Sequence, residues 1–291
     1  MEKDQAGLSL MIGNSRLHWG LIDSGKVKDT WDTDHLSNLD SSKEGIGDAS
    51  NEAEAGIPLS LLSSLARETL MQGASPTSLV ANGHNGCIKL HPERFRIASV
   101  VPKELQRWVC RCPGIRPIIS KDAIDGAQGY STLGVDRALA LRGAALWRGW
   151  PVMVVDCGSA LTFTVGDRRG RLIGGAILPG VRLQLTALAQ STAQLPSGVR
   201  LPDELPPRLA MTTVGAIQAG IMWTLAAGIE SFIRSQWEQE PTTNVVFTGG
   251  DGQVLFKAVV DSWRAGGSIS REARGRLEYI GDVIHQGIAS L

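Results

Sequence analysis

Neither sign of charge is in excess. Twenty-nine Lys and Arg stand against twenty-nine Asp and Glu, a formal net charge of zero. A nucleic-acid binder ordinarily shows a basic surplus, so no nucleic-acid partner is expected. Long apolar runs are missing too: no stretch approaches the roughly 20 residues that cross a bilayer. The opening "MEKDQAGLSL" mixes charges of both signs and has no signal-peptide core. A cytoplasmic location without a membrane partner is therefore expected. Cysteine is scarce, at Cys87, Cys110, Cys112 and Cys157. Cys110 and Cys112 are one residue too close for the usual zinc knuckle, and no second Cys/His pair follows. Reduced and mostly buried thiols are expected.

One more absence is local. Residues 8–27 read "LSLMIGNSRLHWGLIDSGKV". An apolar run (Leu8, Leu10, Met11, Ile12) meets a Gly13-Asn14-Ser15 turn. An alternating strand follows (Leu17, Trp19, Leu21), and Ser24-Gly25-Lys26 turns the chain again. A phosphate-gripping hairpin of this shape is expected to end its first strand on a carboxylate. Met11 occupies that place.

What is present is the composition of a soluble globular protein, 43% hydrophobic and 20% charged, over 291 residues. That length suffices for two domains with a sizeable core. The hairpin pattern recurs in "PVMVVDCGSALTFTVGDRRGRLIGGAIL", residues 151–178. A strand over Val152–Val155, a Gly-Ser turn, an alternating strand (Leu161, Phe163, Val165) and a turn at Asp167–Gly170 precede a third strand. Each copy is followed later by a short apolar strand, "RIASVVP" (96–102) and "NVVFTGGDG" (244–252). Two hairpin-plus-α/β halves with a cleft between them are a familiar way to build an ATP site. The expected division is 1–122 and 123–291.

Helices are expected over 136–150, rich in Ala and Leu, and over 212–237. In the latter Ile217, Ile221, Leu225, Gly228, Ile229 and Phe232 fall at helical spacing, with Thr212 or Thr213 as N-cap. Its Ala216, Gly220, Ala227 and Gly228 would admit another backbone closely, as core or as a dimer seam. The polar, acidic stretch 36–56 reads as a surface excursion.

Three stretches have chemistry in them. Asp156 ends an apolar strand before Cys157-Gly158-Ser159, where a tight turn would present N–H groups and the Ser159 and Thr162 hydroxyls to phosphate oxygens. Asp156 is placed for a cation associated with those phosphates, or is simply a turn former. Gly134-Val135-Asp136-Arg137 begins a helix. Asp136 is either an N-terminal cap or a carboxylate that accepts a proton from an alcohol, with Arg137 fixing an anion. Gly249 and Gly250 leave a strand, where a flat base or ribose can lie against backbone.

The succession GVDR, VVDCGSALT, GGAILPGVRL, STAQLP, TTVGAIQAG and FTGGD resembles the type III pantothenate kinases. The resemblance is strong over roughly half the chain. It implies an α/β fold of two ribonuclease H-like domains, the actin/Hsp70/sugar-kinase superfamily. It also implies a homodimer that phosphorylates pantothenate with ATP, using Mg²⁺ or another divalent ion and a monovalent cation (K⁺ or NH₄⁺). By position, Asp136 would be the general base, and Tyr130, Gly134 and Arg137 would bind pantothenate. Thr192 would join them from across the dimer. Gly13, Asn14, Ser15, Gly158, Ser159, Thr162, Gly249 and Gly250 would hold ATP, and Asp156 the monovalent cation. The chain departs from the family pattern at Met11 (usually Asp), Ser159 (more often Thr) and Thr212 (usually Asn). The rival readings are a catalytically impaired relative acting as a regulatory or binding protein, and a sugar- or acetate-type kinase. The second leaves GVDR with STAQLP unexplained.

Overall fold

The structure is a computed structural model that describes residues 6–36, 56–72, 79–80, 87–125, 130–192, 195–202, 204–266 and 270–291. Most of the polar stretch 36–56, and Ala193 and Gln194 of STAQLP, lie outside these residues. The chain divides into two compact units, Met1–Gly143 with Ile284–Leu291, and Ala144–Val283.

In the first unit, β1 (Gly7–Ile12), β2 (Leu17–Asp23) and β3 (Lys26–Thr33) form an antiparallel meander. β4 (Phe95–Ser99) pairs parallel to β1, giving the order β3-β2-β1-β4. Central β1 is buried at all six positions, as a strand covered on both faces must be, whereas edge β3 alternates. Leu8, Leu10 and Ile12 point to one face with Trp19, Phe95 and Trp108. Trp108 belongs to α2 (Pro102–Arg111), which follows α1 (Ser64–Gln72) in the chain. Trp19 stacks on Trp31 and meets Trp108 edge-on at 5.3 Å between centroids. Each such buried ring removes enough apolar surface to stabilise the unit by about 1.5–3 kcal/mol. Ser9 and Met11 point to the opposite face.

The second unit repeats the order. β5 (Val152–Cys157), β6 (Ala160–Gly166) and β7 (Leu172–Pro179) form the meander. β8 (Asn244–Thr248) runs parallel to β5, and β9 (Leu277–Tyr279) to β8, in the order β7-β6-β5-β8-β9. Between the two meanders comes α3 (Val135–Arg148). Within the second unit lie α4 (Val181–Ser191), α5 (Thr213–Gln239) and α6 (Gly252–Gly266), and the chain ends in α7 (Val283–Ala289).

Thr212 caps α5, its hydroxyl accepting from the Gly215 N–H at 3.1 Å. By length and composition α5 could cross a membrane. That departs from the expectation of no such segment. Its Ile221, Met222, Leu225, Ala226, Ile229 and Ile233 are nonetheless buried in the core of the unit. The small residues Ala216, Gly220, Ala227 and Gly228 lie on its exposed side. They are therefore not core of this chain. Cys87 and Cys157 are buried as expected, but Cys112 is only partly buried and Cys110 is exposed, on α2.

Candidate active site

In the first unit the chain turns sharply after β1. The Gly13 N–H donates to the Arg16 carbonyl at 3.0 Å, closing the hairpin. That amide is spent, so phosphate oxygens would have to find the groups at Asn14 and Ser15, both exposed. His35 Nε2 lies 2.9 Å from the Gly13 carbonyl and fixes its direction. Met11 is 2% exposed. Directly across from it on β2 is His18, and across from His18 on β3 is Asp32. His18 Nδ1 and Asp32 Oδ1 are 2.7 Å apart. The hydrogen bond from His18 holds the Asp32 carboxyl below its ordinary range.

The start of α3 brings Asp136, Arg137 and Tyr130 together. Asp136 Oδ1 accepts from the Arg137 backbone N–H at 2.8 Å, satisfying one of the free donors of the helix's first turn. A Cβ on Gly134 would collide with that same oxygen, so a larger residue there would displace the carboxylate. Burial pushes the Asp136 carboxyl up, against the opposing pull of the Arg137 N–H and guanidinium. A carboxylate raised this way is suited to take a proton. Arg137 is itself 5% exposed. Its guanidinium lies 5.7 Å from the centre of the Tyr130 ring, with Nη1 3.4 Å from the phenol oxygen.

In the second unit three glycine-containing turns converge. The Gly158 N–H donates to the Ala160 carbonyl at 3.1 Å, making the tight β5–β6 turn. Gly180, before α4, packs on that turn, its N–H donating to the Ser159 carbonyl at 3.0 Å. From the other side Gly249 packs in with φ of 86°, and the Asp251 N–H donates to the Cys157 carbonyl at 3.0 Å. Asp156 and Asp251 thereby flank one turn. Both raise the buried Cys157 thiol further above its ordinary range, after burial itself, so that thiol is not a nucleophile. Asp251 is raised by burial and pulled back by Arg182 at the start of α4. Ser159 is half-buried, while Thr162 is 9% exposed and sits opposite Asp156 on β6. Gly250 has open space beside it.

Thr192 ends α4 exposed, its hydroxyl donating to the Leu188 carbonyl at 2.6 Å. Within its unit it joins none of the groups just described. Asp251 and Arg182 had sequence signals, the last residue of TGGD and the Arg of PGVRL, but neither was assigned a role from sequence. His18 and Asp32 had none before the strand register was known.

A family model described as type III pantothenate kinase matches residues 8–235. A type III pantothenate kinase of Nostoc sp. is 39% identical over 250 residues, covering 86% of this chain and 83% of the relative. One from Synechococcus elongatus is 35% identical over 258 residues, covering 87% and 88%. A solved structure from Campylobacter jejuni, titled a conserved putative Baf family transcriptional activator, superposes with a TM-score of 0.51. Its sequence is 16% identical, with 97% of this chain and 96% of that one covered. That likeness concerns the fold alone, α/β in both units.

Proposed function

We infer that this chain, which belongs to the type III pantothenate kinase family, uses Asp136 as the general base of its reaction. The chain transfers a phosphoryl group from ATP to pantothenate, the opening step of coenzyme A biosynthesis. Asp136 takes the proton of the attacking hydroxyl, while Arg137 and Tyr130 hold pantothenate beside it and Gly134 leaves room for the carboxylate. The observation that supports this most is the buried Arg137, beside Tyr130, next to a carboxyl raised by burial.

Phosphoryl transfer depends mainly on positioning and charge neutralisation. The Gly13–Ser15 turn and the Gly158, Ser159 and Thr162 group grip the ATP phosphates. Gly249 and Gly250 lie against the base and ribose. The kinase family implies ATP with a divalent ion, which supplies charge neutralisation on the phosphates. Asp251, a carboxylate beside the β5–β6 turn, would hold such an ion, since Mg²⁺ ordinarily takes only one or two carboxylates besides phosphate oxygens. Asp156 serves the monovalent cation, K⁺ or NH₄⁺. The chain acts as a cytoplasmic homodimer in which Thr192 reaches the pantothenate of the second copy. The exposed Ala216, Gly220, Ala227 and Gly228 of α5 support a close helix contact there.

A coupled ADP-release assay, with and without pantothenate and in potassium then sodium, tests this reading. Turnover that requires pantothenate and rises with potassium is expected. No turnover from folded protein in either salt would overturn it, and the regulatory relative would take its place.

A further inference from the structure

The helix that carries Asp136 is braced by the last turns of the chain. α7 belongs to the first unit from Ile284 onward, and it meets α3 at two levels. At the first, a Cβ on Gly287 would stand 3.0 Å from the Leu139 carbonyl carbon and closer still to its oxygen. Only a residue without a side chain lets the two helix backbones meet there. Leu139 is fully buried, on the turn of α3 that follows Asp136. At the second level, Arg142 donates from Nε to Ser290 Oγ at 2.6 Å and from Nη2 to the Ser290 carbonyl at 3.2 Å. Ser290 in turn donates to the Gly287 carbonyl at 2.7 Å, so the two levels form one connected contact. α7 is also fixed to the sheet. His285 Nδ1 lies 2.8 Å from Ser9 Oγ on β1. Arg96 of β4 donates from Nη1 to the Ile288 and Ala289 carbonyls at 2.8 and 3.0 Å. Those carbonyls are among the last of the helix, which lack partners within it.

We propose that Gly287 and Arg142 are positioning residues for the reaction: through them α7 sets where α3, and with it the Asp136 carboxylate, stands relative to β1. This rests on the reading of Asp136 as the general base. The Asp136 carboxylate accepts from the Arg137 N–H of its own helix at 2.8 Å, so it moves wherever α3 moves. β1, which holds the other side of the brace through Ser9, runs directly into the Gly13 turn. The brace therefore joins the helix of the base to the strand that leads to the first phosphate turn. Its stiffness follows from how the contact is made. Contacts between side chains can yield by a change of rotamer, whereas two backbones in contact within a close-packed interior pass a displacement on to the whole helix. Arg142 adds a further tie, donating from Nη1 to the Ala123 carbonyl at 3.3 Å. A shift of about 1 Å in a reacting group can cost about 10²-fold in rate, even when the change that causes it is remote.

The test is a double-mutant cycle on the full chain, with pantothenate-dependent ADP release measured over a range of ATP. Gly287→Ala, Arg142→Gln and Arg142→Lys are made in wild type and in Asp136→Asn, and the melting temperature of each is recorded. In wild type, Gly287→Ala is expected to lower kcat about ten- to a hundredfold and to leave the ATP KM unchanged. Arg142 is only half-buried, so Arg142→Gln should fold and lower kcat by less. Arg142→Lys, which keeps a charged donor, should recover part of that loss. In Asp136→Asn none of the three should lower kcat further, because residues that act through one group are not additive. A merely structural role would reduce the active fraction by the same factor in both backgrounds. Should Gly287→Ala fail to fold, the two Arg142 variants carry the same cycle. Equal kcat losses in the two backgrounds, or wild-type kcat in both Gly287→Ala and Arg142→Gln, overturn the positioning role and leave Asp136 as the base. Near-normal turnover of Asp136→Asn alone removes the base, and the positioning role falls with it.

Discussion

Gly249 lies against Asp156: a Cβ placed on Gly249 would come within 2.6 Å of Asp156 Oδ1 and 2.7 Å of the Cys157 carbonyl. Its φ of 86° already favours glycine. Gly249→Ala therefore meets both backbone strain and a carboxylate, and strain of this kind costs about 1–3 kcal/mol. A lowered melting temperature and an ATP KM raised about tenfold or more are expected. Gly250→Ala is the partner experiment, because nothing stands within 4 Å of its Cβ position. It should melt as wild type does and still lose ATP affinity if the nucleotide lies on that backbone. Unchanged ATP affinity in Gly250→Ala would remove Gly250 from the site.

Asp136→Asn separates chemistry from stability. Burial raises this carboxyl in the folded protein, so its folded pKa lies above the unfolded one. The stability linked to it is complete at pH below the unfolded value and is lost as pH rises through the folded value. Where Asp136 is ionised it thus costs stability, and the asparagine variant should melt no lower than wild type. Its kcat should fall about 10²–10⁴-fold, the range of a general base. The acid limb of the wild-type pH–rate profile, set by protonation of Asp136, should vanish with it. A folded Asp136→Asn with near-normal turnover would take Asp136 out of the base role.

How the sequence relates to this fold is clearest at the two hairpins. Alternation at Leu17, Trp19 and Leu21 and at Leu161, Phe163 and Val165 gives the strand faces, because a half-buried strand has a period of two. The two turns and their order were legible for the same reason, as were both long helices. The last turns of the chain were not. Residues Ile284–Leu291 belong with the first unit, where Gly287 lies against the Leu139 backbone, a contact between residues far apart in sequence. His18 was equally hidden. Alternation places it on a face, but only the register sets it between Met11 and Asp32. Asp136 and Arg137 were legible as a motif, whereas the burial that raises one and confines the other is a tertiary property.

His285 should make stability fall in mildly acid solution. It is fully buried, with Nδ1 2.8 Å from Ser9 Oγ, and Ser9 donates to the Gly20 carbonyl. The Ser9 proton being spent, Nδ1 is the donor to Ser9 Oγ. Desolvation lowers the folded pKa from 6.5 to about 4. The unfolded chain therefore takes up a proton first, and stability present above about pH 6.5 is lost as pH falls toward about 4. The loss is on the order of 3 kcal/mol, and below that window this group adds nothing more. His285→Asn, which keeps a polar atom near Nδ1, should be less stable at pH 7 and show a flatter decline. Denaturant titrations from pH 7.5 to 4 measure both, and equal slopes would mean that His285 is not the group responsible.

Met11→Asp restores the carboxylate that the first hairpin lacks. Met11 is 2% exposed and directly opposite His18, so the new side chain meets an imidazole at cross-strand distance and competes with Asp32 for it. Burying the carboxylate should lower stability by about 0.5–3 kcal/mol, with His18 offsetting part of the cost. The effect on ligands should be opposite with and without metal. A carboxylate beside the phosphate turn should tighten the apparent Mg²⁺ affinity in the presence of ATP. It should weaken ATP binding in EDTA, because it adds a like charge beside the phosphates. Parallel calorimetric titrations of wild type and Met11→Asp, with and without Mg²⁺, measure the two effects. If both affinities match wild type, position 11 does not face the phosphates, and the methionine there has no bearing on how the nucleotide is held.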